Sequence, residues 1–392
     1  MPNDLLKGGE FSAAASPLRR SGIVLTDKQR LAWLRLIRSD NVGPVTFRSL
    51  INHYGTAETA LQMIPELAAR GGSSRAIRIA TIAEAEREME TAHRFGARFV
   101  GVGEPDYPPA LRTIEGAPPL LAMKGNGNVA TRPALGIVGA RNASVSGAKF
   151  TAMIARAAGS AGYSVVSGLA RGIDAAAHRA SLAHGTLAAI AGGLDRPYPP
   201  ENHELYHAIA DEGGVVITEM PFGWEPRARD FPRRNRLIAG TSLAVVVVEA
   251  AMRSGSLITA RLANEFGRIV LSVPGSPLDP RSEGTNRLIR QGASIICSPD
   301  DVLEALAPLT QMELPMSPGA EDGRDGQNQD DLMPPSEDER SRLAEALGPS
   351  PCHLDDLISF TGIAAGKVQL LLLELDLAGR LVRHAGGMVS LA

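Results

Sequence analysis

A chain of 392 residues, 44% of them hydrophobic, is long enough for two or three domains with buried cores of their own. No apolar run reaches the ~20 residues that cross a bilayer, since the longest, Leu243 to Met252, is broken by Glu249, and the start lacks a signal-peptide stretch. Two cysteines, Cys297 and Cys352, cannot build a disulfide framework. Secreted, membrane-spanning and fibrous classes are disfavoured, and a reducing cytoplasm is expected.

The formal charge of -3 is unevenly spread. Residues 307–335 hold six acids and one base, and residues 336–392 hold eight acids and five bases, leaving 34 bases against 29 acids before them. Such a basic body, rather than the acidic tail, is the part suited to a polyanion. Scarce aromatics, at 4%, make a broad base-stacking platform unexpected.

Residues 1–25 are expected to be disordered, followed by a helical module and connection over 26–125. Thr26 can cap a helix through DKQRLAWLRLIRSD, with Leu31, Leu34 and Ile37 on one face. A Val-Gly-Pro turn then leads to RSLINHYG, which ends at Gly55. This pairing resembles a helix-hairpin-helix (SAM-like) module, whose free N–H groups can hold a phosphate. Residues 84–124 add a charged helix and a Pro-rich crossing.

From 126 to 306 the pattern becomes seven continuous apolar runs between helical stretches: LGIVGA, YSVVSG, TLAAIAGG, VVITEM, LAVVVVEA, RIVLSVPG and ASIIC. Continuous runs mark strands buried on both faces, so the expected fold is α/β, a Rossmann-like, doubly wound, mostly parallel sheet. Residues 307–336, rich in Pro, Gly and acids, read as a flexible acidic linker. Residues 337–392 read as three helices and a hairpin around Gly386-Gly387, a winged-helix-like domain. Its helix Ala364–Ala378 stands in the DNA-recognition position, yet it is apolar on most faces and carries Glu374 and Asp376. A protein-docking or spacer role suits it better than a major groove.

In such sheets ligands sit beyond the carboxyl ends of the strands. There the first loop offers Gly139, Arg141, Ser144, Ser146 and Gly147, and the second Ser167, Gly168 and Arg171. A third helix begins at Ser254, Gly255 and Ser256. Small residues let backbone approach an anion, helix N-termini offer free N–H groups, and arginine adds charge. The first loop lacks G-x-G-x-x-G, so it is not a dinucleotide fingerprint. A further cluster, Arg233, Arg234, Asn235 and Arg236, falls at a helix start, where cations oppose the macrodipole unless an anion binds or Glu219 and Glu249 pair with them. Asp174 and His178 share an i,i+4 spacing that most often caps or packs a helix, as do His203 and His207, which lack partners for a metal set. The turn Asp195-Arg-Pro-Tyr198 can rim a pocket. No nucleophile elbow or Walker loop is present. Catalytic residues, cofactor and metal are therefore not expected.

The run from Ile137 to Ala293 resembles the DNA-processing protein A family, also called DprA or Smf. IVGARNASVSG, VVSGLARGIDAAAH, AGGLDRPYPPEN, FPRRNRLIAGTS, VVVVEAAMRSGSLITARLANEFGR, VPG and GTNRLIRQGA carry the resemblance, with EPDYPPALRTI and PPLLAMKG upstream. Thr218 departs from it, standing where serine is commoner. The resemblance implies a bacterial cytoplasmic protein, usually a homodimer, that binds single-stranded DNA, protects it in natural transformation and helps load the RecA recombinase. By motif position, Arg141, Arg171 and Arg233 to Arg236 would lie in the binding pocket. On this reading the amides of Gly139, Gly168 and Gly255 grip phosphates that Arg141, Arg171 and Arg234 neutralise.

The rival class is a nucleotide-processing enzyme, such as a phosphoribohydrolase with P-G-G-x-G-T-x-x-E. The corresponding SGSLITARLA has no such glutamate, and Glu249 lies before the glycine. A passive scaffold for other recombination proteins is a third reading.

Overall fold

The computed structural model describes residues 24–311 and 334–392. The expected disordered start and most of the expected linker lie outside the described residues. The chain divides into two compact units. One contains residues 105–112 and the stretch from 123 to 311; the other contains 24–104, 113–122 and 334–392.

In the first unit the seven apolar runs are strands: β1 Ala134–Gly139, β2 Ser164–Ser167, β3 Thr186–Ala189, β4 Val215–Thr218, β5 Ala244–Val248, β6 Ile269–Ser272 and β7 Ser294–Ile295. Their order is β4-β3-β2-β1-β5-β6-β7, and every pair among them is parallel. The order reverses at β1, flanked by β2 in the register Gly136 to Val166 and by β5 in the register Gly136 to Val245. That reversal opens a crevice beyond the carboxyl ends of β1 and β5.

Helices cover both faces, which is why β1 to β5 are apolar without alternation. Leu135, Ile137, Val165, Val246, Val248 and Leu271 pack with Ile154, Ala158, Ile173 and Leu306. Each of the Leu, Ile and Val side chains among them contributes about 1.5–3 kcal/mol on full burial. The last helix, Pro299–Gln311, runs past the expected linker start at 307, because Leu306 and Leu309 still find the core. Two strands that the sequence reading missed, Ala97–Gly101 and Leu120–Gly125, are neighbours. They are short, and in each charge and proline nearby mask the apolar residues.

The second unit holds both flanking modules. Helices Asp27–Ile37, Pro44–Tyr54 and Ala57–Arg70 pack around Leu36, Phe47, Leu50, Ile64 and Leu67. Thr26 and Gln29 form a reciprocal capping box on the first helix. Gly43 caps the second, with Pro44 at its first position, where a missing N–H costs nothing. The winged-helix part has helices Glu337–Ala346, Leu354–Thr361 and Ala365–Leu377, and a hairpin of Leu381–Arg383 with Met388–Leu391. Cys352–His353 adds a third strand beside the second arm. Among the described residues no single helix is long and apolar enough to cross a membrane.

Close packing against β1 sets where the arginine-bearing helix Asp230–Thr241 can lie. A Cβ at Gly136 would stand 2.7 Å from Ser242 Oγ and 3.1 Å from Val245 Cγ2. Gly136→Ala should therefore destabilise the protein by about 1–3 kcal/mol, read as a lower thermal midpoint. An unchanged midpoint would mean that this helix end is free to shift.

Candidate nucleic-acid interface

The loop after β1 is shaped by the protein's own carboxylate. Ser144 caps helix Val145–Ser160, its Oγ accepting from Gly147 N at 2.9 Å. Ser144 N donates to Glu249 Oε2 at 2.9 Å, and its hydroxyl donates to Oε1. Gly147 makes the approach possible, since a Cβ there would lie 2.6 Å from the Glu249 carboxyl carbon. Glu249 itself adopts φ 52, a left-handed conformation that costs a non-glycine residue about 1–3 kcal/mol. The expected anion site at Ser144 and Gly147 is thus already filled from within, at the helix end that favours negative charge. Gly139 serves close packing against the Val248 carbonyl, and Ser146 is exposed in the first turn.

The loop after β2 is equally engaged. Ser167 Oγ is buried and donates to Ile137 O at 2.6 Å. Asp174 Oδ2 accepts from Gly168 N at 3.0 Å and Ala170 N at 3.4 Å, so the Gly168 amide is not offered to a ligand as expected. Leu169, at φ 57, donates its N–H to His178 Nε2 at 3.3 Å. His178 Nδ1 lies 2.7 Å from Thr186 Oγ1, which donates to Val165 O at 2.9 Å. That chain of bonds requires the neutral ring with its proton on Nδ1. Burial, with the nearby positive charges of Arg234 and Arg179, pushes its pKa down to about 3. Asn202 Nδ2 completes the loop by donating to Leu169 O and Ala170 O at 2.9 and 3.1 Å.

Arg234 joins the loops. It is 6% exposed, and its Nη1 donates to Gly168 O, after β2, and to Ala189 O, at the end of β3, at 2.6 Å for the latter. Gly168 must be glycine because a Cβ would stand 2.5 Å from the guanidinium carbon. Burial lowers the Arg234 pKa to about 10, the Asp174 carboxylate opposing that shift and Arg141 adding to it. Asp174 is raised by burial against the pull of Arg234. The Arg234 Nε is buried without a hydrogen-bond partner.

In front of Arg234 lies a pocket of about 100 Å³ lined by Arg141, Gly168, Ala170, Arg171, Tyr198, Pro199, Glu201, Phe231 and Arg234. The Arg141 guanidinium sits 5.4 Å from the centre of the Phe231 ring. Tyr198, 48% exposed, meets the same ring edge-on at 5.6 Å. Arg171 is exposed and pairs loosely with Glu201 at 3.5 Å. Three guanidinium groups face one carboxylate here, so the pocket is basic.

The other candidates stand apart. Arg233 Nε binds Glu219 at 3.0 Å, and Arg236 binds the same carboxylate. The two arginines share this one carboxylate, the pairing that the sequence left open as the alternative to a bound anion, and Arg233 stays half exposed beside it. Asn235 Nδ2 donates to Gly255 O at 3.2 Å, tying two helices together. Ser254 Oγ accepts from Ser256 N at 3.3 Å as a cap, while Gly255 is exposed with open space around it.

Of the fifteen residues picked from the sequence, four line the pocket: Arg141, Gly168, Arg171 and Arg234. Tyr198, in the turn read from sequence as able to rim a pocket, lines this one; what the sequence did not show is its pairing with Phe231, although both stand next to proline in segments already singled out. Among the described residues no group of three His, Cys, Asp or Glu side chains is placed to hold a metal.

Together these features define a doubly wound α/β protein with a basic, aromatic-edged pocket at its strand ends, flanked in sequence by a helical hairpin module and a winged helix. The model of DNA recombination-mediator protein A matches residues 98–307. Those of the DprA-like N-terminal HHH domain and the DprA winged helix domain match 27–91 and 327–387. The chain belongs to the DNA recombination-mediator protein A (DprA/Smf) family. Protein Smf of a Synechocystis strain is 33% identical over 398 residues, covering 92% of this chain and 98% of that one. The X-ray structure of DNA processing protein A from Streptococcus pneumoniae superposes with TM-score 0.59 at 33% identity, covering 72% of this chain and 98% of that one. DNA processing protein A from Helicobacter pylori, described for its single-stranded DNA binding mode, gives TM-score 0.50 at 27% identity, covering 54% and 96%.

The neutral ring under the second loop ties stability to pH. The unfolded chain takes up a proton on His178 near pH 6.5, but the native chain only near 3. Stability from this group is therefore complete above 6.5 and falls by about 1.4 kcal/mol per pH unit as pH drops below it. In denaturant titrations His178→Gln should be less stable at pH 8 yet lose stability more slowly between pH 6.5 and 5. Equal slopes for the two proteins would show that the ring is not held neutral.

Proposed function

We propose that the protein binds single-stranded DNA in this pocket without chemical change to the strand. The observation that carries the reading is the convergence of Arg141, Arg171 and Arg234 on one pocket edged by Tyr198 and Phe231. Phosphates meet the guanidinium groups, and bases that a duplex would keep stacked inside meet the aromatic rings. Backbone amides have a smaller part than the sequence suggests, since Gly168 N and Ser144 N already have carboxylate partners. By family membership and the resemblance of the motifs, the proposal extends to a cytoplasmic homodimer that protects incoming strands in natural transformation and helps load RecA. A nucleotide-cleaving reading has less support: Glu249, the acid nearest the third loop, is bound by Ser144 rather than offered to a ligand. Release of free base from a nucleoside monophosphate would revive it.

Anisotropy of a labelled oligothymidine, titrated at several salt concentrations beside the matching duplex, tests the proposal. Two phosphate contacts, by Arg141 and Arg171, with at most a third by the buried Arg234, should give a slope of log K against log salt of roughly -1.4 to -2.1. Arg141→Ala should weaken binding and flatten that slope by about 0.7. Phe231→Ala should instead cost about 1–3 kcal/mol of affinity with the slope unchanged. If Arg141→Ala changes neither affinity nor slope, the pocket is not the binding site.

A further inference from the structure

The helix in the recognition position of the winged helix, Ala365–Leu377, is apolar on two faces. Val368, Leu371, Leu372 and Leu375 pack into the winged helix's own core. Leu370, Leu373 and Leu377, spaced three and four apart, belong instead to the core of the amino-terminal helices, beside Leu36, Leu50 and Ile64. Leu373 and Leu377 are 2% and 0% exposed. The face that would enter a DNA groove is therefore covered by the chain's own helices.

Polar contacts fix how the two modules meet. Asn41 Nδ2 donates to Leu377 O at 2.9 Å, and Arg380 Nη1 donates to Gly71 O at 3.2 Å. A Cβ at Gly71 would stand 2.5 Å from the Glu374 carbonyl carbon, so the helix backbone rests directly on this glycine. Thr46 Oγ1 donates to Asp376 Oδ2 at 2.7 Å, and Arg383 Nε donates to the same oxygen at 3.0 Å. Thr46 lies in the first turn of Pro44–Tyr54, the helix that the Asn41-Val-Gly-Pro turn opens. A carboxylate thus stands against the first turn of that helix, held by the Thr46 hydroxyl.

We propose that the winged helix is a docking module for the chain's own amino-terminal helices rather than a reader of duplex DNA, and that docking covers the first turn of the hairpin's second helix through the contact of Thr46 with Asp376. The contact is complementary in chemistry: leucines at helical spacing meet an apolar face, and an acid meets the Thr46 hydroxyl. This inference is independent of the pocket in the α/β domain, because it needs no DNA to test.

Cysteines at the contact report docking in the full chain. In a background of Cys297→Ser and Cys352→Ser, Thr46→Cys with Asp376→Cys should oxidise to a closed monomer that runs faster on a non-reducing gel. Absence of the crosslink overturns docking, and a covalent dimer overturns docking within one chain. Adding Leu373→Glu, a change outside the winged helix's own core, should abolish the crosslink; its persistence rules out this helix face. In the otherwise unaltered chain, Leu373→Glu should speed amide exchange across residues 42–47 at least tenfold, and the milder Leu370→Glu should act in the same direction. Unchanged exchange in both overturns the covering of that first turn.

Discussion

The α/β domain depends on a guanidinium group buried at the ends of its central strands. Taking a charge out of water costs several kcal/mol unless partners compensate for it. Arg234 finds the carbonyls of Gly168 and Ala189 and the attraction of Asp174. Those partners constrain everything around them: residue 168 can carry no side chain, Asp174 has to hold the loop amides, and His178 has to stay neutral beneath them. The result is a rigid wall behind Arg141 and Arg171, with one guanidinium nitrogen still lacking a partner.

A second constraint decides which groups remain for a ligand. The acids Glu249, Asp174 and Glu219 lie inside the ring of loops, and each satisfies donors that a phosphate could otherwise have used. The helix end at Ser144 is consumed in this way, while Arg233 and Arg236 share the single carboxylate of Glu219. What is left is a set of side chains, cationic and aromatic, rather than a cradle of backbone amides. Such a set is tolerant of sequence, because every nucleotide has a phosphate and a flat base.

The flanking modules show the same economy of surface. A three-helix winged fold needs one face of its last helix for its own core, and the opposite face is conventionally free. Here that opposite face carries Leu370, Leu373 and Leu377, which would be costly to leave in water. Acidic residues on the same helix, Glu374 and Asp376, are satisfied by Arg340, Thr46 and Arg383. An apolar stripe with paired acids is a surface made for protein, whichever strand the α/β domain holds.

The seven strands, the capped first helix, the Gly-Pro turn between the first two helices and the winged-helix order were legible in the sequence, because each rests on local chemistry: continuous apolar runs, a capping threonine, turn glycines. Burial on both faces failed only for the last strand, Ser294–Ile295, which lies exposed at the sheet edge, and the second helix starts earlier than read, at Pro44. Arg141, Arg171 and Arg234 were legible as candidates for a related reason, since loops after parallel strands must converge on one sheet edge. Which of their neighbours were free was not. Arg233, Arg234 and Arg236 look alike in sequence, yet two meet Glu219 and one turns inward to carbonyls contributed by β2 and β3. Ser144 and Gly147 read as an anion cradle until Glu249, about a hundred residues away, is brought against them by the parallel pairing of β1 with β5. Tyr198 and Phe231 likewise come from separate segments and form a pair only after folding. Local sequence determines what each segment can become, whereas long-range pairing alone decides which charges are already spent on one another.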